Sequence, residues 1–178
     1  MKGVIFNLAE EVVVAAHGED TWDALLDAAE LDGAYTSLGN YPDEHLFRLV
    51  SAASSALGVT ADDVVRTIGE GSLPLLAERF PVFFEGHATT RSFLLTLNDI
   101  IHSEVRKLYP GAEVPEFGFD DSDPERLLIT YRSARKLCSL AEGFISGAAR
   151  HFGEEATIEQ PRCLHRGDED CLLVCSFA

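Results

Sequence analysis

The sequence predicts an α+β fold: an N-terminal helical subdomain packed on a C-terminal antiparallel sheet that carries one long helix. Three observations predict it. Apolar residues recur at helical spacing through the first two thirds of the chain. The break Tyr109-Pro110-Gly111 is followed by short runs with strand character, Val114–Phe119 and Arg126–Tyr131. The chain then closes on a second pair of such runs, Thr157–Leu164 and Cys171–Phe177, around Arg166-Gly167-Asp168-Glu169.

The helices follow in order. Val4, Ile5, Leu8, Val12 and Ala15 predict a helix over residues 2–17. Thr21-Trp22-Asp23 opens a second, with a capping residue and an early acid. Pro42-Asp43-Glu44 starts a third, where a first-turn proline sits beside acids that suit the helix dipole. Thr60-Ala61-Asp62-Asp63 reads as a capping box for a fourth, which Gly69 and Gly71 should end. Leu94, Leu97, Ile101, Val105 and Leu108 form one stripe and predict a long helix over about 90–108, with His102 on its margin. Leu137, Leu140, Ala141, Phe144, Ile145 and Ala148 predict a final helix over about 134–150.

A chain of 178 residues with 46% hydrophobic content fits one domain with room for a buried ligand. Its net charge of −16 argues against nucleic acid and anionic membranes as partners. No stretch approaches the ~20 apolar residues of a membrane span. Asn7, Glu10 and Glu11 come too early for a secretory signal, so a cytoplasmic protein with reduced cysteines is expected.

Tyr131, Ser133 and Arg135 recur at every second position. On an extended chain they share one face, offering two hydroxyls and a guanidinium fork to clustered carboxylates. Lysine cannot copy that fork. A metal held by His102 near such a grip points to an acid-bearing metal cofactor, haem.

The same residues carry a resemblance. The chain resembles the haem–nitric oxide/oxygen binding (H-NOX) domains, the sensor family related to the haem domain of soluble guanylate cyclase. Tyr131, Ser133 and Arg135 match its Tyr-x-Ser-x-Arg motif, His102 its proximal iron ligand and Pro115 a proline that packs on the porphyrin. Met1-Lys2-Gly3-Val4-Ile5-Phe6-Asn7 is similar to its N-terminus. The resemblance covers residues 1–178. It implies a distal subdomain over about 1–65, a proximal helix and α/β subdomain over about 66–178, and haem b buried between them.

It further implies a stand-alone gas sensor, not an enzyme. Ile5 and Leu140 line the distal side. Oxygen-holding members carry a tyrosine where this chain has Leu140. A hydrogen bond to a charged group is worth roughly 1.5–3 kcal/mol, or about 10–150-fold in affinity. Bound oxygen needs that help more than nitric oxide does. The expected ligand is therefore nitric oxide, with carbon monoxide also able to bind. Weakening of the His102–iron bond would relax the haem against Pro115 and shift the subdomains. The implied partner is a separate histidine kinase or cyclic-di-GMP enzyme.

Cys138, Cys163 and Cys171 form a second candidate site, suited to tetrahedral zinc. Some bacterial members of the family close such a site with a histidine, at a position held here by Gln160. The fourth ligand stays open among His165, Cys175 and water. Cys175 lies four residues beyond Cys171, about 13 Å away on a straight strand. A zinc or thiol redox sensor is thus the alternative reading. A haem peroxidase is disfavoured by the lack of an evident distal acid–base pair.

Overall fold

The computed structural model describes all of residues 1–178. Seven helices and four strands follow in order: α1 (Gly3–His17), α2 (Glu19–Ala29), α3 (Asp43–Leu57), α4 (Ala61–Arg79), α5 (Thr90–Leu94), α6 (His102–Leu108), β1 (Glu116–Asp120), β2 (Leu127–Arg132), α7 (Cys138–His151), β3 (Ala156–Arg162) and β4 (Cys171–Phe177). The sheet is antiparallel throughout, in the order β1-β2-β4-β3. This is the α+β architecture the sequence predicts.

Two cores organise the chain. One gathers Phe6, Trp22, Leu25, Leu46, Leu49, Val50, Val64 and Ile68 from α1 to α4. The other joins the inner face of the sheet (Leu127, Ile129, Tyr131, Cys171, Leu173, Cys175) to Ala141, Ile145 and Ala148 of α7. The period-two burial of β2 and β4 is what one covered sheet face requires. No helix is long and apolar enough to cross a membrane.

Helix α4 connects the cores, and here the sequence reading needs correction. The helix does not stop at Gly69 and Gly71; it runs on through Pro74 to Arg79. Its capping box is present, with Asp63 N–H donating to the Thr60 hydroxyl at 3.1 Å. The glycines serve packing instead. A Cβ on Gly69 would lie 2.5 Å from the Leu140 carbonyl oxygen, and one on Gly143 would lie 2.1 Å from that of Arg66. Only bare backbone lets α4 and α7 approach this closely, and that contact outweighs the helix-ending tendency of glycine.

The long helix expected over 90–108 is also broken. Between α5 and α6 lies one π-helical turn, Leu97–Ile101, in which the Ile101 N–H reaches back to the Thr96 carbonyl at 3.2 Å. The wider turn shifts the helix register just before His102. Helix α7 begins at Cys138, four residues later than expected, because Lys136 adopts a left-handed φ of 52°.

Candidate functional site: a cavity between the two cores

A cavity of about 310 Å³ opens between α1, α4, the α5–α6 segment, β1 and α7. It is lined by 34 residues, 26 of them hydrophobic, so its polar groups are few enough to orient a ligand. Ile5, His102, Pro115, Tyr131, Ser133, Arg135 and Leu140 all line it. Seven residues scattered over 136 positions of sequence thus meet at one void.

His102 enters at the first position of α6, straight after the π turn. Its ring lies 5.7 Å from that of Phe117 on β1. Its Nδ1 is buried without a hydrogen-bond partner. Burial, reinforced by the Arg106 charge, pushes its pKa from the ordinary 6.5 down to about 4. The imidazole is therefore neutral at pH 7, as metal ligation requires. Asn98, one turn before it, donates to the Phe117 carbonyl at 2.6 Å.

The polar mouth is built from the end of β2 and the turn after it. Tyr131 closes the buried face of the strand, opposite Phe117 and Cys171, and its hydroxyl accepts from Leu137 N–H at 3.1 Å. Ser133 and Arg135 lie beyond the strand in the turn, so the three residues do not share an extended face. They converge on the cavity because the chain curls there: Arg135 N–H donates to the Ser133 hydroxyl at 3.2 Å and Lys136 N–H to the Ser133 carbonyl at 3.1 Å. Pro115 precedes β1 rather than lying within a strand.

Arg135 holds two carboxylates, Asp43 at 2.7 Å through Nε and Glu113 at 2.8 Å through an η nitrogen. Asp43 also takes the Met1 α-amine at 2.6 Å. Burial alone would raise the Asp43 pKa; the bonds from Met1 and Arg135 outweigh it and hold the carboxyl below its ordinary value. Met1 and Glu113 line the cavity too. Sequence reasoning missed this cluster. Asp43 reads as a helix-start acid, and its partners lie far away in sequence. Tyr109, the residue that ends α6, also lines the cavity. Tyr35 and Tyr41 do not line it.

A family model for haem–nitric-oxide-binding (HNOB) proteins matches residues 2–160. The chain belongs to the haem–nitric-oxide-binding family. Structures of the family agree. An H-NOX protein of S. oneidensis in the Fe(II)NO state is 33% identical, with a TM-score of 0.93, over 100% of this chain and 99% of that one. An unliganded Fe(II) H-NOX protein of K. algicida is 26% identical, with a TM-score of 0.88, over 100% of this chain and 97% of that one. An oxygen-binding H-NOX domain related to soluble guanylate cyclases, in its oxygen complex, shares the fold at 23% identity, with a TM-score of 0.83 over 99% and 95% of the two chains. H-NOX domains are haem-binding gas sensors, and the residues here fit that group. The cavity is apolar, a neutral imidazole with an unpartnered ring nitrogen stands on one side, and an arginine fork with two hydroxyls stands at the mouth.

The cysteines form a separate cluster. The sulfurs of Cys138, Cys163 and Cys171 all lie within 4.8 Å of one another, and all three residues are buried. Burial raises the Cys138 thiol pKa and pushes that of Cys171 up to about 12. Neither candidate fourth ligand joins them. His165 is exposed, with Nε2 2.6 Å from the Lys136 carbonyl. Cys175 pairs across the strands with Leu127 and Ile158, two inner-face positions beyond Cys171. The Gln160 amide faces Cys138, and its Nε2 is buried with no hydrogen bond. Three sulfurs fit one face of a tetrahedron with Zn–S near ~2.3 Å, but no histidine, carboxylate or thiol completes a four-ligand zinc site.

Proposed function

We propose that this chain senses nitric oxide in preference to oxygen at haem b and signals to a separate effector protein, a histidine kinase or a cyclic-di-GMP enzyme. The observation that carries the selectivity is the apolar wall made by Ile5 and Leu140, which has no hydrogen-bond donor. Bound haem would supply the ferrous iron that takes up a diatomic gas.

Each side chain has a role. His102 is the iron ligand. Its ring has no second hydrogen bond to anchor it, so little besides packing opposes its turning away. Arg135, Tyr131 and Ser133 hold the propionates, for which Arg135 exchanges its present carboxylate partners. Pro115, with φ fixed by its ring, is a rigid edge against the porphyrin. The distal subdomain over about 1–65 and the proximal one over about 66–178 shift relative to one another, a two-state change biased by ligand. Carbon monoxide binds as well, since it needs no donor. A role in the cytoplasm suits such a partner.

The test is equilibrium titration of the ferrous protein with carbon monoxide and with oxygen. Carbon monoxide should give a stable complex and oxygen none. A stable oxygen complex would show that a donor reaches the distal side and would remove the selectivity.

A further inference from the structure

We propose that Cys138, Cys163 and Cys171 form a three-coordinate site for a trivalent metalloid of the arsenite class, independent of the haem cavity. Three observations carry it. The three thiols are mutually adjacent, with Cys163 Sγ 3.8 Å from Cys138 Sγ and 4.0 Å from Cys171 Sγ. They are 2%, 5% and 0% exposed, so an unbalanced charge among them is costly. The set stops at three, because the group near them is an amide, Gln160, and not an imidazole.

Coordination number and charge decide the ligand. Zinc wants four ligands, and with three thiolates and a neutral fourth it leaves a net negative charge inside the protein. The cations nearby are committed: Arg132 and Arg162 both bind Asp170, and the Lys136 ammonium is turned to the Leu164 carbonyl. Trivalent arsenic is pyramidal with three ligands, is strongly thiophilic, and forms a neutral tris-thiolate. The reaction is an exchange. Each As–OH bond of arsenous acid is replaced by an As–S bond, and each thiol proton leaves on the departing hydroxide as water. Three thiols thus yield three waters, with no electron transferred and no net proton released. The unpartnered Gln160 Nε2 is placed to donate to a metal-bound sulfur. Entry is across the exposed residues His165, Arg166 and Gly167 between β3 and β4. Bound there, arsenic would staple the start of α7 to the β3–β4 hairpin.

The test is titration of the reduced full-length chain with sodium arsenite without oxygen, followed by native mass spectrometry. One arsenic should be gained per chain with the loss of three thiol hydrogens. Cys163→Ser, and independently Cys138→Ser, should weaken retention by more than about tenfold, equivalent to about 1.4 kcal/mol. Cys175→Ala, at the far end of β4, should leave it unchanged. Gln160→His should supply a fourth ligand and raise zinc affinity by at least about tenfold. Failure to retain arsenite, or retention with the loss of only two hydrogens, overturns the proposal. So does zinc held by the unaltered chain as tightly as by Gln160→His and not exchanged for arsenite.

Discussion

Arg135 donates to Asp43 across 2.7 Å, tying the turn after β2 to the first residue of α3. The same carboxylate receives the Met1 amine, so the N-terminus, the helical subdomain and the cavity mouth meet at one side chain. Asp43→Asn removes the charge from both contacts. The groups are partly exposed, so the expected loss is only about 1 kcal/mol, or roughly 2–4 °C in Tm. Thermal denaturation at low and high salt checks this, with the difference shrinking as salt rises. An unchanged Tm at low salt would mean the contact contributes nothing.

Arg135→Lys keeps the charge and loses the planar fork. Haem retention should fall by at least about tenfold, since lysine cannot hold a carboxylate in a bidentate pair. Haem transfer to a scavenger protein reads the effect. Equal transfer rates would place the propionates elsewhere.

Gly143→Ala would be expected to stabilise an ordinary helix interior by about 1 kcal/mol. Here the new methyl meets the Arg66 carbonyl oxygen at 2.1 Å, and α4 and α7 must separate. A net loss of about 1–3 kcal/mol is expected on urea denaturation. A gain in stability would show that the two helices are not in close contact.

His102 makes the haem-free protein sensitive to acid. Its folded pKa of about 4 lies below the ordinary 6.5. Between those values the unfolded chain binds a proton that the folded chain refuses, so stability falls as pH drops from 6.5 toward 4 and this contribution levels off below. His102→Gly should flatten that slope in haem-free protein, measured by denaturant midpoints across the range. A slope of the same size in the variant would assign it to other groups.

Leu140→Tyr puts a hydroxyl donor on the apolar wall. Oxygen affinity should rise by roughly 10–150-fold, the worth of one hydrogen bond to a charged group. Titration of both ferrous proteins with oxygen decides it, and a variant that binds oxygen no better than the unaltered protein would mean that residue 140 does not face the bound gas.

The α+β class was legible in local patterns and His102, Tyr131, Ser133 and Arg135 in a spaced motif, whereas Ile5, Pro115 and Leu140 stood out only through the family resemblance. Local signals misled where a tertiary contact decides. Gly69 looks like a helix stop but is a gap that admits the Leu140 carbonyl. Tyr131, Ser133 and Arg135 alternate as a strand would, yet only Tyr131 is on one, and the turn at Lys136 brings the other two inward. The apolar stripe from Leu94 to Leu108 hides the π turn before His102, because a single extra backbone residue leaves the pattern nearly intact. Asp43 has no signature at all, since its partners are the chain terminus and a residue 92 positions away.

The most direct measurement is the visible absorption spectrum of the reduced protein, recorded without oxygen before and after nitric oxide, beside the same pair for His102→Gly. The unaltered protein should show histidine-ligated ferrous haem that becomes five-coordinate with nitric oxide, while the variant should lack the histidine-ligated form from the start. A normal histidine-ligated spectrum in His102→Gly, or a six-coordinate nitric oxide complex that keeps its histidine, would contradict the assignment of His102 as the releasable iron ligand.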